Sequence, residues 1–301
     1  MKALIINNLA SGYRDGSIYD FVRSFTEDGD EVCMRSTDGT TPIGGLLEDA
    51  SDFDLVVASG GDGTVTSVAY ALANSGVPLL PYPAGTANLL SLNLAEPNEP
   101  HALAKLARRC ETLDFDVAEI EAEGEKHGFM IMAGAGYDAT IMESAAPNKK
   151  FFGTVAYFLA AGTNIAPQRS KIAVTIDGER HETEGLGVLV INFSKIQFDI
   201  SFTHTNQPRD GMLDVIVMKA KNAFELLPAV FAAMLDRDGD FPERGDSLEI
   251  YQGKEIRVDA DPAFEIQYDG EVPKSKTPFV ARVLPKAARV VISDEGKALF
   301  E

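Results

Sequence analysis

Apolar runs without alternation recur through the first part of the chain: Ala3-Leu4-Ile5-Ile6, Leu55-Val56-Val57-Ala58 within residues 54–58, and Pro78-Leu79-Leu80-Pro81, with residues 31–34 suggesting a further strand. Such runs predict strands buried on both faces, as in a parallel sheet. Between them lie stretches with helical spacing. Residues 17–25 place Ile18, Phe21, Val22 and Phe25 on one side, and residues 43–47, 64–74, the run through Leu89, Leu90 and Leu92, and residues 99–109 continue the series. Alternating strand and helix predicts a doubly wound, Rossmann-like α/β domain, whose ligands lie outside the carboxyl ends of its strands.

The pattern changes after residue 109. Residues 112–121 alternate loosely, Glu123-Gly124-Glu125-Lys126 reads as a hairpin turn, and Phe129-Met130-Ile131-Met132-Ala133 as a strand. Asp177-Gly178 marks a second hairpin between residues 172–176 and a run ending Val188-Leu189-Val190-Ile191. Further strands are predicted at 213–218, 255–258, 264–268, 280–284 and 289–292, with helices at 138–144, 153–164 and 223–236. The second half is therefore expected to be a mainly antiparallel β-sandwich. The predicted domains are 1–122, rejoined by about 289–301, and 123–288.

At 301 residues, 45% hydrophobic and 24% charged, the composition is that of a globular protein large enough for two cores. The charge balance changes the picture. With 46 acidic and 27 basic residues the net charge is −19, which argues against nucleic acid as a partner and against broad adhesion to anionic lipid. Cys33 and Cys110 have no metal-ligand spacing, and His101, His127, His181 and His204 form no ligand pair, so neither a disulfide framework nor zinc chemistry is expected. No apolar stretch approaches ~20 residues and the amino-terminal run is too short for a secretory signal, so the expected location is the cytoplasm.

Candidate chemistry gathers where three predicted loops leave the carboxyl ends of strands: residues 8–12, Gly60-Gly61-Asp62-Gly63-Thr64, and Pro83-Ala84-Gly85-Thr86-Ala87-Asn88. Glycines at 60, 61 and 63 let backbone approach a ligand, and the first N–H groups of the following helix lack intrahelical partners, which makes an anion site. A tight turn alone would also use these glycines. Asp62 is what that plainer reading leaves unexplained, because a carboxylate beside phosphate is unfavourable unless a metal ion or a transferable proton lies between them.

These segments resemble the diacylglycerol kinase catalytic-domain family, in particular its soluble bacterial lipid kinases and the sphingosine kinases. Asn8-Leu9-Ala10-Ser11-Gly12 is similar to the family's Asn-Pro-x-Ser-Gly loop, with Leu9 where proline is usual. Residues 60–64 are similar to its glycine-rich phosphate motif, which NAD kinases share, and Gly85-Thr86-Ala87-Asn88 to its Gly-Thr-x-Asn segment. Gly134-Ala135-Gly136-Tyr137-Asp138-Ala139, residues 150–159, Asp210-Gly211-Met212-Leu213-Asp214 and Asp269-Gly270-Glu271 continue the match through the second half.

The resemblance implies a two-domain lipid kinase that binds ATP on the α/β domain and takes a lipid hydroxyl in an interdomain cleft, with Glu271 as the base. Under it, Gly60, Gly61 and Gly63 offer N–H groups to phosphate, Thr64 or Thr86 adds a hydroxyl, and Asp62 holds Mg²⁺ or orients the acceptor. Asn8 and Asn88 suit ribose or phosphate, Ser11 and Gly85 belong to the same loops, and Asp138 shares metal or base work. Asp210 and Asp214 are candidates for a structural Mg²⁺ site, through side chains or through neighbouring carbonyls. Lys149-Lys150-Phe151-Phe152, followed by Val155, Tyr157, Phe158 and Leu159, forms a basic-flanked apolar stretch suited to transient contact with a membrane surface or to core packing. Met142, Phe193 and Phe198 are candidates for an acyl pocket. A homodimer is compatible with everything above. The competing readings are an NAD kinase-like enzyme and a non-catalytic nucleotide- or lipid-binding regulator.

Overall fold

The computed structural model describes residues 1–12, 16–27, 29–136, 168–193, 207–220 and 247–301. The predicted helices at 138–144, 153–164 and 223–236 lie outside the described residues, as do Asp138, Met142, Phe198 and the basic-flanked stretch 149–159. Two compact units divide the chain: Met1–Val117 with Leu284–Glu301, and Ala118–Val283.

In the first unit, β1 (Lys2–Asn8), β2 (Glu31–Thr37), β3 (Leu55–Gly60) and β4 (Leu79–Pro83) form a parallel sheet in the order β2-β1-β3-β4. Strand β1 pairs with both β2 and β3, and β3 with β4. The unalternated runs follow from this placement, since Ala3 to Ile6 and Leu55 to Ala58 are fully buried. Helices α1 (Ser17–Phe25), α2 (Ile43–Leu46), α3 (Asp62–Ala71), α4 (Leu89–Asn93) and α5 (Pro100–Arg109) follow their strands. Phe21 and Phe25 of α1 pack into one core with Ile5, Val57, Leu103 and Leu106. Each buried phenylalanine contributes about 2–3 kcal/mol of transfer free energy. α6 (Asp294–Phe300) closes the chain, capped by Ser293, whose hydroxyl accepts from the Gly296 N–H at 3.0 Å.

Behind α4 lies one group the sequence did not announce. The chain turns through Ala95 at φ +50° and buries Glu96 to 8% exposure, with neither carboxyl oxygen hydrogen-bonded among the described residues. Burial pushes this carboxyl well above its ordinary value of 4.5, and the neighbouring Ser91 hydroxyl offsets that only partly. The folded protein therefore keeps a proton that the unfolded chain releases, so stability falls as pH rises above about 4.5. Glu96→Leu is expected to raise stability at pH 7 by about 1–3 kcal/mol and to flatten this slope. Urea unfolding at pH 4.5 and 7.5 checks it, the sign of the change at the higher pH deciding.

In the second unit, β5 (Thr112–Ala122), which enters from the first, turns through Glu123 and Gly124, both at positive φ, into β6 (Glu125–Phe129). The remaining strands are β7 (Met132–Gly136), β8 (Ser170–Ile176), β9 (Glu179–Gly185), β10 (Gly187–Ile191), β11 (Leu213–Met218), β12 (Leu248–Gly253), β13 (Glu255–Asp261), β14 (Ile266–Tyr268) and β15 (Phe279–Val291). An antiparallel sheet in the order β12-β11-β10-β7-β14 shares one core with the layer built from β15, β13 and β8, and Val190, Val215, Ile266, Val174, Ile256 and Phe279 meet in it.

Four local expectations change. The apolar run 129–133 is two strands, because residues 130–132 turn their N–H groups onto the Asp269 carboxylate. The Asp177-Gly178 hairpin pairs β8 with the polar β9, while β10 joins the other sheet. The crossing between them requires Gly185, where any Cβ would run into the Met218 carbonyl. Strand β12 was missed because it is an edge strand whose side chains alternate only weakly in burial. The runs 280–284 and 289–292 are parts of the single strand β15, which passes from the second unit into the first.

Candidate active site

Three loops converge at the carboxyl edge of the parallel sheet, and glycines make the contacts. A Cβ on Gly12, at φ +56°, would strike the Ala84 carbonyl, and one on Gly85 would strike Gly61 Cα and the Asn88 Oδ1. The Gly61 N–H donates to the Ser11 hydroxyl at 3.3 Å, joining the first loop to the second. Asn8 Nδ2 donates to Thr64 Oγ1 at 2.8 Å, tying β1 to the first turn of α3. Asn8, Ser11, Gly60, Gly61, Gly63, Thr64, Gly85 and Asn88 are therefore one constellation, with Thr86 exposed on the third loop.

Helix α3 begins at Asp62, and its cap, Gly61, offers no side chain. The Gly61 N–H goes to Ser11 and the Thr64 N–H to the Gly61 carbonyl at 3.0 Å, which leaves the start of this ten-residue helix, at Asp62 and Gly63, as the part suited to phosphate. The Asp62 carboxylate lies in the same place. Its Oδ1 accepts from the Leu90 N–H at 3.0 Å, at the start of α4. Burial raises the Asp62 carboxyl above its ordinary value, and the N–H groups of Leu90 and Leu89 pull the other way. A bound cation would stabilise its ionised form further.

Two amides predicted to face ligand are engaged in shaping the loops. Asn8 Oδ1 accepts from the Ala10 N–H at 2.9 Å. Asn88, left-handed at φ 50°, accepts from the Gly85 N–H at 2.8 Å and donates to the Gly85 carbonyl at 3.1 Å. Sequence reasoning missed a fourth segment, residues 37–40, where the Leu9 N–H donates to the Thr37 carbonyl at 2.8 Å and Gly39 lies against Asn8. Its signal was the Asp38-Gly39-Thr40 turn, in which Asp38 accepts from both the backbone and the hydroxyl of Thr40.

The second unit carries the other candidates. Asp269, at φ +43°, and Gly270, at φ +84°, form a two-residue turn closed by the Tyr268 and Glu271 backbones in both directions, at 3.0 and 2.8 Å. The Asp269 carboxylate points back into the fold: Oδ2 accepts from Met130 N–H at 2.8 Å, and Oδ1 from Ile131 and Met132 N–H at 2.9 Å each. Glu271 is exposed. Two acids one residue apart thus have opposite situations, Asp269 held by backbone and Glu271 exposed.

The proposed metal pair is arranged differently. Asp210 Oδ1 accepts from the Met212 N–H at 2.8 Å around Gly211, and Asp214 is buried in β11 with Oδ1 accepting from Gln252 at 2.7 Å. Among the described residues no three His, Cys, Asp or Glu side chains are grouped to hold a metal ion. Phe193 is buried beside β10.

Family models match both halves. One described as the diacylglycerol kinase catalytic domain covers residues 2–120, and one described as the YegS C-terminal NAD kinase beta sandwich-like domain covers residues 131–292. An uncharacterized Synechocystis protein is 29% identical over 256 residues, which is 80% of this chain but only 55% of that protein. A probable lipid kinase YegS of Salmonella arizonae is 29% identical over 289 residues, 92% of this chain and 87% of that one. A solved structure described as a diacylglycerol kinase from Bacillus anthracis shares the fold, with a TM-score of 0.76 and 24% identity over 98% of each chain. An NAD kinase from Archaeoglobus fulgidus in complex with ATP has a TM-score of 0.57 at 14% identity, covering 100% of this chain and 97% of that one.

Proposed function

This chain belongs to the lipid kinase family that joins a diacylglycerol kinase catalytic domain to a YegS-type β-sandwich-like domain, and from that premise we propose that it transfers the γ-phosphate of ATP to a lipid hydroxyl. The acceptor class is a diacylglycerol, sphingoid or other glycerolipid alcohol. The observation that carries this reading is the glycine-on-glycine contact of Gly61 with Gly85, beside a helix start that no side chain caps. Close-packed glycine backbone there lets a polyphosphate approach the start of α3, with the Thr64 and Thr86 hydroxyls on the same loops, on a chain whose net charge would otherwise repel one.

Phosphoryl transfer needs the phosphate positioned, its charge offset, and a proton acceptor for the attacking hydroxyl. The α3 N-terminus and the 60–64 loop position it. Mg²⁺ would supply charge neutralisation on the phosphate oxygens, and Asp62 is the residue suited to hold it. Asp210, bonded within its own turn, and Asp214, bonded across to Gln252 on β12, belong instead to a separate structural Mg²⁺ site, if to any metal. Glu271 takes the acceptor's proton. Among the described residues no helix is long and apolar enough to cross a membrane.

Gly85→Ala is expected to weaken ATP affinity by about 10- to 100-fold, because its Cβ separates the loops at an overpacking cost of about 1–3 kcal/mol. Gly44→Ala, whose Cβ would meet nothing within 4 Å, serves as the control. Titration calorimetry with ATP checks both. The function itself is tested by ATP turnover with Mg²⁺ across detergent-dispersed diacylglycerol and sphingosine, free NAD, and no acceptor. Lipid-dependent turnover is expected; phosphorylation of NAD would favour an NAD kinase, and tight ATP binding without turnover a regulator.

A further inference from the structure

Tyr268 is nine-tenths buried, at 9% exposure, and its ring packs into the sandwich core with Ile266 and Ala133. Buried tyrosines ordinarily give their hydroxyl a hydrogen-bond acceptor. No described residue accepts this one, and the hydroxyl oxygen is not sealed from solvent, so a ligand can reach it. The ring itself is well fixed. It stacks on the His127 imidazole with centroids 5.0 Å apart and planes 17° apart, and His127 Nε2 lies 3.6 Å from Glu125 Oε2.

The backbone determines what lies next to it. Tyr268 and Glu271 are directly opposed across the Asp269-Gly270 turn, exchanging both hydrogen bonds. A directly opposed antiparallel pair carries both side chains on one face, with Cβ atoms about 5 Å apart. Asp269, anchored to three N–H groups, holds that turn in place.

We propose that Tyr268 is a positioning residue for phosphoryl transfer, its hydroxyl donating to the oxygen of the acceptor alcohol whose proton Glu271 receives. This rests on the kinase reading above. The stereochemistry is consistent: a hydroxyl oxygen has one proton and two lone pairs. The proton goes to the Glu271 carboxylate, one lone pair accepts from Tyr268, and the other attacks phosphorus as the bond to the nucleotide's leaving oxygen breaks. Such a role needs a phenol that keeps its proton beside carboxylates. Burial first, then the charges of Glu271 and Glu125, push the Tyr268 hydroxyl up to about 12.

Tyr268→Phe keeps the ring and its stack and removes only the donor. Steady-state transfer from ATP to detergent-dispersed lipid is expected to lose about tenfold in kcat, with the lipid KM and ATP affinity unchanged. Background hydrolysis of ATP to water should be unaltered, which a merely structural role for the hydroxyl would not predict. A Tyr268→Phe enzyme that transfers as fast as the wild type overturns the inference while leaving the kinase reading intact. A wild type that transfers to no lipid overturns both. Independently of turnover, the Tyr268 ring-carbon NMR titration should move to lower pH in Glu271→Gln, and an unmoved midpoint would contradict the juxtaposition.

Discussion

Asp269→Ala is expected to destabilise the second unit by about 3–5 kcal/mol, a loss that urea or thermal unfolding should register as a melting point lower by about 10 °C. Three N–H groups, those of Met130, Ile131 and Met132, share one carboxylate, and alanine leaves all three without their acceptor. Charge-assisted bonds of this kind are about twice as strong as neutral ones. Alanine also tolerates the φ of +43° less well than aspartate does. Asp269→Asn keeps one acceptor oxygen and a residue at ease with positive φ, so it should fall between wild type and alanine. The junction affected is the one between β6 and β7, and the Asp269 N–H returns a bond to the Met132 carbonyl at 2.9 Å. Loss of activity in Asp269→Ala should therefore track loss of folded protein.

Glu271→Gln is the opposite case. Its side chain is exposed and bonded to no described residue, so the fold should be indifferent, with unfolding unchanged within about 0.5 kcal/mol. Transfer to lipid should fall by about 10²–10⁴ in kcat, the ordinary contribution of a general base. ATP affinity should hold, because the amide removes a proton acceptor and leaves the loops at Gly61 and Gly85 untouched. The two variants together separate structure from chemistry at neighbouring positions: one melts early, the other folds normally and does not transfer. A Glu271→Gln enzyme with near-wild-type kcat would move the base elsewhere.

Much of this arrangement could be read from the chain itself. The alternation of unbroken apolar runs with helical spacing gave the parallel sheet, because a strand buried on both faces has no polar side to alternate. Gly60, Gly61 and Asp62 stood out because glycine and an acid at a strand end have few reasons to occur together. Long-range bonds were not legible. Asp269-Gly270 announced a turn, yet nothing near it tells that the carboxylate satisfies an N–H 139 positions earlier. Asn8 and Asn88 looked like ligand contacts because an amide's type does not reveal which backbone groups it will meet. Glu96 is a surface residue by composition, and its burial follows only from the left-handed turn at Ala95. The strand β12 escaped because an edge strand alternates weakly, and β15 looked like two strands because residues 285 and 286 are exposed within it.

The most direct measurement of the central claim is single-turnover transfer from γ-labelled ATP with Mg²⁺ to mixed micelles of diacylglycerol and sphingosine, the lipid product being separated and weighed by mass spectrometry. The wild type should yield a lipid heavier by one phosphate and carrying the label, with Glu271→Gln and Gly85→Ala yielding little. Label found only in inorganic phosphate or on a soluble dinucleotide, with every lipid recovered at its starting mass, would contradict it.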